Sequence, residues 1–386
     1  MKVKNKKRVN ASSIVKRVFI SIGLTLVLIL AMVYSLVFAV AHGPSITLRN
    51  TLVNMAMQAS ATKWVPKLVL SASEVDAIVE GAKPQDIVID TPPETDGVQR
   101  VIIDSEGTHI EPVTTPSDPD DPSAPKEIDW SKAVDGVYFE IINAPHCRAY
   151  VTVIKDPSRV YTATTSVFSK DRRGLYFWEL AERDNVLVAI NGGEYPDNGG
   201  GGNGGLPIGI TYSKGKCVYE DGYTKRTFMG FDKDNKMVLR EGMTRDVADS
   251  LGVRDGVCFQ TNNILIQKNG DKITLKRRND AAPAQRTAIG QREDGAVIFI
   301  VTDGRTAASA GASYNDMIDL MLRYGAVNAG MLDGGSSAML YYRDYYNTYN
   351  IDVSTLDKYQ KMGLVNIYKA FTTPRAIPTY FAVGGN

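Results

Sequence analysis

The longest apolar run in the chain extends without a charge from Val18 to Ala41, and Lys2, Lys4, Lys6, Lys7, Arg8, Lys16 and Arg17 precede it with no acidic residue among them. As a helix this run would extend about 36 Å, enough to cross the hydrocarbon core of a bilayer. The pattern predicts a basic cytoplasmic tail over 1–17, a single transmembrane anchor over 18–41 and an extracellular remainder. Ala39-Val40-Ala41 also offers a small-residue cleavage site, so a signal peptide and a secreted product is the alternative; the length of the run favours the anchor. Over 42–90 the spacing is helical. Leu48, Leu52, Met55 and Met57 open an apolar face, Trp64, Val65, Leu68, Val69 and Leu70 continue it, and Ser71 or Ser73 caps a short helix carrying Val75, Ile78 and Val79.

A different texture follows over 91–127. Pro92, Pro93, Pro112, Pro116, Pro119, Pro122 and Pro125 alternate with Asp118, Asp120 and Asp121. Proline removes backbone donors and the small polar residues give little to bury, so 114–126 is expected as an exposed tether, with a short β segment at 101–103. From 128 to 386 the period changes again. Segments 136–142, 148–154, 185–190, 226–231, 296–301 and 325–328 are rich in valine, isoleucine and aromatics and are bounded by glycine, asparagine and aspartate, which is a strand signature. One clear helix interrupts them: Tyr314, Met317, Ile318, Met321 and Leu322 form a stripe, Ser313 and Asp316 sit at capping positions, and Gly325 ends it. The expected fold class is α+β, a mixed, sheet-rich domain behind a transmembrane helix and helical stalk.

Composition narrows the chemistry. Lysine and arginine total 44 against 43 acidic residues, so the charge balance gives no case for nucleic acid as a partner. Cys147, Cys217 and Cys258 match no zinc spacing, and their odd number leaves at least one outside any intramolecular disulfide. The three histidines, His42, His109 and His146, are too scattered for a multi-histidine metal site. Nineteen tyrosines against eleven phenylalanines suit sugar stacking and ordinary sheet packing alike.

Four constellations carry candidate chemistry. Asn191-Gly192-Gly193-Glu194-Tyr195-Pro196-Asp197 follows an apolar strand and runs into a glycine-rich stretch to Gly205, placing Glu194 or Asp197 beside a flexible cover. It lacks the helix and downstream acid of a dinucleotide site and the lysine-serine ending of a phosphate loop. Arg286 lies in a second constellation, 285–290. In the third, Asp303 and Arg305 close a strand as Asp-Gly-Arg, and a guanidinium fork suits phosphate. The fourth is Asn328 to Ser337, in which Asp333, Gly334, Gly335, Ser336 and Ser337 form a tight turn between two apolar segments. Such a turn can present a carboxylate, two hydroxyls and several backbone N–H groups to an oxygen-rich ligand; an ordinary hairpin turn is the alternative.

Taken in order, Asn191-Gly192-Gly193, Arg286 to Gly290, Thr302 to Arg305 and Asn328 to Ser337 resemble the phosphodiester glycosidase family. That family includes the animal enzyme that uncovers mannose 6-phosphate by removing N-acetylglucosamine, together with bacterial proteins linked to exopolysaccharide synthesis. The resemblance covers 137–383. It implies hydrolysis of a glycosyl-1-phosphodiester bond in a phosphorylated cell-envelope glycan or polymer, with Arg286, Asp303, Arg305, Asp333 and the 334–337 turn in the site and Asn191, Gly192 and Glu194 on its rim. Asp333 and Asp303 are the leading acidic pair, with Glu194 as the alternate, while the arginines hold phosphate and the turn N–H groups add dipoles. Two departures from the family pattern stand out. Glu194 occupies a place commonly aromatic, with Tyr195 next, and Met331 occupies a place commonly asparagine, with Asn328 earlier. A noncatalytic phosphoglycan-binding protein is one competing expectation. A phosphodiesterase acting at phosphorus, with a divalent cation gathered by the acidic loops, is another; otherwise no cofactor is called for.

Overall fold

The computed structural model describes residues 11–58, 62–90, 99–104, 107–112, 126–144, 146–197, 201–278, 283–304, 309–368 and 373–385. Arg305 and most of the tether expected over 114–126 lie outside them. The chain divides into an N-terminal unit reaching Glu80 and a larger unit from Gly81.

In the first unit α1 (Ala11–His42) contains a stretch, 15–42, long and apolar enough to cross a membrane. Its Phe19, Leu28, Leu30 and Met32 are all exposed, as expected of a helix whose apolar side chains meet lipid all round. α2 (Ile46–Gln58), a 3-10 turn at Pro66–Leu68 and α3 (Ala72–Gly81) follow. Ser71 caps α3 reciprocally: its hydroxyl accepts from the Glu74 N–H at 3.3 Å while its own N–H donates to Glu74 Oε2 at 2.8 Å.

The larger unit is sheet-rich. Its strands in chain order are β1 (Gln85–Asp90), β2 (Gln99–Asp104), β3 (Gly107–Pro112), β4 (Val137–Asn143), β5 (Arg148–Ile154), β6 (Val160–Thr164), β7 (Val186–Asn191), β8 (Thr211–Ser213), β9 (Lys216–Tyr219) and β10 (Thr227–Asp232). They continue as β11 (Met237–Glu241), β12 (Val253–Phe259), β13 (Ile264–Asn269), β14 (Lys272–Arg277), β15 (Thr287–Arg292), β16 (Val297–Thr302), β17 (Ala326–Met331), β18 (Leu340–Tyr342) and β19 (Thr379–Gly384). Helices α4 (Phe177–Asp184), α5 (Arg245–Ser250), α6 (Tyr314–Arg323) and α7 (Tyr345–Thr348) lie between them.

Eight strands form one sheet in the order β1-β14-β13-β17-β15-β16-β5-β4; five form β11-β10-β12-β8-β9, and four form β18-β7-β19-β6. The burial patterns explain their placement. Every side chain of β16 and β7 is buried, so each strand is covered on both faces, whereas β14 alternates buried and less buried positions and shows one face to solvent. Side chains from all three sheets, among them Ile300, Val188, Phe381 and Phe231, join one apolar cluster. α6 packs on β13, β14, β16 and β17. Its expected cap is present, with the Asp316 N–H donating to Ser313 Oγ at 3.1 Å and the Ser313 N–H to Asp316 Oδ2 at 2.7 Å. Gly325 follows with φ +78°, and each fully buried Met317, Ile318 or Met321 contributes about 1.5–3 kcal/mol of apolar burial.

One expectation changes and another is extended. Residues 85–90, read with the helical segment, are an edge strand paired antiparallel with β14. The short β segment at 101–103 is one arm of the β2–β3 hairpin. The constellation around Arg286 is the entry to β15, which lies between β16 and β17; its polar start hides an all-buried Thr-Ala-Ile-Gly-Gln core.

Candidate active site

Asp333 follows β17 of the eight-stranded sheet, and the chain then enters β18 of the four-stranded sheet. The turn is therefore a crossing between sheets rather than a hairpin, with Gly335 at φ +59° inside a 3-10 turn, Gly335–Ser337. Asn191, at the end of β7, braces it. Its Nδ2 donates to the Asp333 carbonyl at 2.6 Å, and its Oδ1 accepts from Thr287 Oγ1 at 2.7 Å and the Met339 N–H at 3.2 Å. Asn191 is fully buried, and Gly192 beside it accepts from the Asp333 N–H through its carbonyl at 3.2 Å. Both residues lie beneath the turn and not on a rim. A Cβ on Gly192 would stand 2.5 Å from Thr379 Oγ1, so the close approach of β19 demands glycine there.

Glu194 is fastened from the third sheet. Its N–H donates to the Cys258 carbonyl at 2.8 Å, and its carboxylate pairs with Arg226. The flexible cover expected after it is, over 201–205, a tied segment. The Gly202 N–H reaches the Asp197 carbonyl at 2.8 Å, the Gly174 N–H the Asn203 carbonyl at 2.8 Å, and the Ser169 N–H the Gly205 carbonyl at 3.0 Å.

Around Asp333 stand groups from four parts of the chain. The Gly334 N–H donates to its Oδ1 at 2.9 Å, and Tyr195 Oη lies 3.1 Å from Ser337 Oγ. Tyr368 donates its hydroxyl to the Ser336 carbonyl. Arg375 donates to Ser336 Oγ at 3.3 Å and to the Gly202 carbonyl at 2.9 Å, pairs with Asp197 at 2.7 Å, and lies 5.2 Å from the Tyr195 ring centre. Burial pushes the Asp333 carboxyl up to about 7; the Ser337 hydroxyl and Gly334 N–H oppose that, and the Glu194 and Asp197 charges add to it. Burial also works against the Arg375 charge, but Tyr195, Asp197 and Asp333 more than offset it, and the guanidinium is held above its ordinary value.

The other sequence candidates are placed differently. Asp303 is almost wholly buried, and both carboxylate oxygens are engaged: Oδ2 accepts from Tyr150 Oη at 2.7 Å and Oδ1 from the Ile367 N–H at 2.9 Å. Burial pushes it up to about 6. The acidic charges that act most on Asp333 are those of Glu194 and Asp197. Arg286 is buried, donating Nε to the Ala312 carbonyl at 3.1 Å with its guanidinium 4.6 Å from the Tyr314 ring centre. Asn328 is not brought to the turn. It faces Gln291 across the ladder and accepts from the Lys268 N–H at 3.0 Å, five residues and about 17 Å of extended chain before Asp333. The expected array of N–H donors also shrinks. Gly334 serves Asp333 itself, Gly335 the Gln285 carbonyl at 2.9 Å, and Ser337 the Gly334 carbonyl at 3.0 Å; the Ser336 N–H has no acceptor among the described residues.

Arg375, Tyr368 and Arg226 escaped the sequence reading. Arg375 follows a proline in a segment with no glycine or acidic signature, and only the register of β19 carries it to Ser336.

The fold and the cluster define a sheet-rich α+β unit whose three sheets bring carboxylates, hydroxyls and a guanidinium to one crossing turn. Residues 184–383 match the phosphodiester glycosidase family, and the chain belongs to that family. The SPbeta prophage-derived uncharacterized protein YomE of Bacillus subtilis (strain 168) is 31% identical over 184 residues, 45% of this chain and 27% of that protein, so the chain spans about a quarter of this relative's length. Among solved structures, the zebrafish N-acetylglucosamine-1-phosphodiester alpha-N-acetylglucosaminidase catalytic domain, auto-inhibited by its pro-peptide, is 19% identical. It matches with a TM-score of 0.47 over 65% of this chain and 82% of that one. A hypothetical protein from Synechocystis is 13% identical, with a TM-score of 0.40 over 75% of this chain and 68% of that one.

Proposed function

We propose that the larger unit hydrolyses a glycosyl-1-phosphodiester, cleaving between the anomeric carbon and the phosphodiester oxygen and releasing a sugar from a phosphorylated cell-envelope glycan. The observation that carries this reading is the raised Asp333 carboxyl beside two further carboxylates and the Arg375 guanidinium, in a chain that belongs to the phosphodiester glycosidases. Arg375 holds the phosphate by charge-assisted hydrogen bonds, with Ser336 beside it; the family resemblance adds Arg286 and, outside the described residues, Arg305 as phosphate ligands. Asp333, with a pKa near the working pH, is the general base. Water attacks the anomeric carbon and gives its proton to Asp333, while the carbon–oxygen bond breaks with its electron pair remaining on the phosphate oxygen. A phosphomonoester leaves readily as an anion, so the site needs no strong acid opposite the base. Glu194, held by Arg226, opposes the positive charge that builds on the sugar. Asp303, both of whose oxygens are engaged, positions the Ile367–Tyr368 segment that touches Ser336.

The length of the apolar run supports an uncleaved anchor, and the basic flank before it supports an orientation with this unit outside the cell. The test incubates the full chain, in detergent, with an N-acetylglucosamine-1-phosphodiester, with and without chelator, and identifies the products by mass. Free sugar with an intact phosphomonoester is the expected result. A sugar phosphate would shift the reading to cleavage at phosphorus, and binding without turnover would shift it to a phosphoglycan-binding protein.

A further inference from the structure

The end of α1 does not lead straight into an open stalk. His42 Nε2 lies 2.9 Å from the carbonyl of Val69, 27 residues further on, and Ala41, Val53, Leu70 and Val75 form a buried cluster. The described parts of this segment, 46–58 and 62–70, are thereby held at the terminus of the apolar helix as a small folded body. Around this core four large apolar side chains remain outside: Ile46 is 65% exposed, Leu48 53%, Trp64 60% and Leu68 52%. Lys63 and Lys67 are exposed beside the last two, giving Lys-Trp and Lys-Leu steps four residues apart across the Pro66–Leu68 turn. Scattered single apolar residues need no explanation, but a tryptophan, three aliphatics and two lysines at the exit of an apolar span form a particular chemistry. Tryptophan sits at the headgroup level of a bilayer, and lysine stems lie along apolar surface while their ammonium groups reach anionic phosphates.

We propose that this body is a membrane foot. Residues 46–58 and 62–68 lie on the outer leaflet of an anionic bilayer, with Ile46, Leu48, Trp64 and Leu68 inserted at the depth of the upper acyl chain and Lys63 and Lys67 on lipid phosphate. The inference rests on α1 being an anchor. Its consequence is that the chain leaves the bilayer only after residue 70, so the first part of the juxtamembrane segment adds no reach.

The test reconstitutes the full chain into phosphatidylcholine vesicles containing phosphatidylglycerol and acyl chains brominated either near the headgroup or near the methyl end. Tryptophan emission is compared between wild type and Trp64→Phe; the difference isolates Trp64 from Trp130 and Trp178. The expected result is loss of the Trp64 component with shallow bromines and little loss with deep ones. Lys63→Gln with Lys67→Gln is expected to reduce the shallow quenching. If the protein floats with the vesicles while the Trp64 component is untouched by either lipid, the foot is wrong though the anchor stands. Equal quenching at both depths would overturn it in favour of a second inserted segment. Failure to float would remove the anchor and the foot together.

Discussion

Asp303 and Asp333 each follow a buried strand of the same sheet, each is followed by glycine, and each has its carboxyl pushed up by burial, to about 6 and about 7. They differ in what surrounds them. Asp303 is closed on both sides by donors of this chain, Tyr150 and Ile367. Asp333 keeps part of its surface, and its neighbours are hydroxyls, two other carboxylates and a guanidinium. A raised pKa alone therefore does not mark a reactive group; a carboxylate almost wholly enclosed by distant parts of its own chain braces a loop, while one in a partly open turn among hydroxyls and a guanidinium can exchange a proton with a substrate.

The contrast is broken most directly by removing each carboxylate. Asp333→Asn is expected to lower kcat by about 10²–10⁴ with folding retained, the range for losing a general base. Asp303→Asn is expected to act mainly on stability, by about 1–3 kcal/mol, because one of its two donors then faces an amide N–H. Steady-state hydrolysis and urea denaturation on both variants decide this, and a larger kcat loss for Asp303→Asn would reverse the two roles. Arg375→Ala is expected to weaken kcat/KM by roughly 10–100-fold, the worth of a charge-assisted hydrogen bond, with inorganic phosphate losing its inhibition; unchanged phosphate inhibition would remove Arg375 from the site.

The next effect tests the support under Asp333. Gly192→Ala drives a Cβ to 2.7 Å from the Thr379 carbonyl oxygen and should cost about 1–3 kcal/mol, read as a lowered denaturation midpoint. Smallest is the pH dependence. Both carboxyls bind protons more tightly folded than unfolded, so their contribution to stability is full below the unfolded value near 4 and is lost as pH rises through about 6 and 7. Denaturation midpoints measured from pH 4 to 8 should fall for this reason, less steeply in Asp303→Asn. Activity moves the opposite way, kcat/KM rising through about pH 7 as Asp333 ionises. A fall over the same range would make Asp333 the acid.

The sequence made some of this readable because the signals were local. The α6 stripe, its Ser313–Asp316 cap and the continuous apolar runs of β7 and β16 each lie within ten residues. The Asp333 turn was visible for the same reason. What escaped depends on register across long separations. Asp303 and Asp333 read alike as polar ends of apolar strands, and the donors that distinguish Asp303, Tyr150 and Ile367, lie 153 and 64 residues away. Asn191 reads as a rim residue until its partners, Thr287, Asp333 and Met339, are known. Arg375 has no local mark at all.

One feature of the four-stranded sheet sets a timetable. β19 lies between β7 and β6, although those strands precede it by more than 180 residues. Until residues 379–384 have been synthesised and folded in, β7 has no partner on that side, Gly192 has no Thr379 against which to rest, and the bracing of Asp333 is incomplete. Assembly of the Asp333 turn is thus a late event in the life of each chain, and a nascent protein that still lacks its last strand holds the turn unbraced.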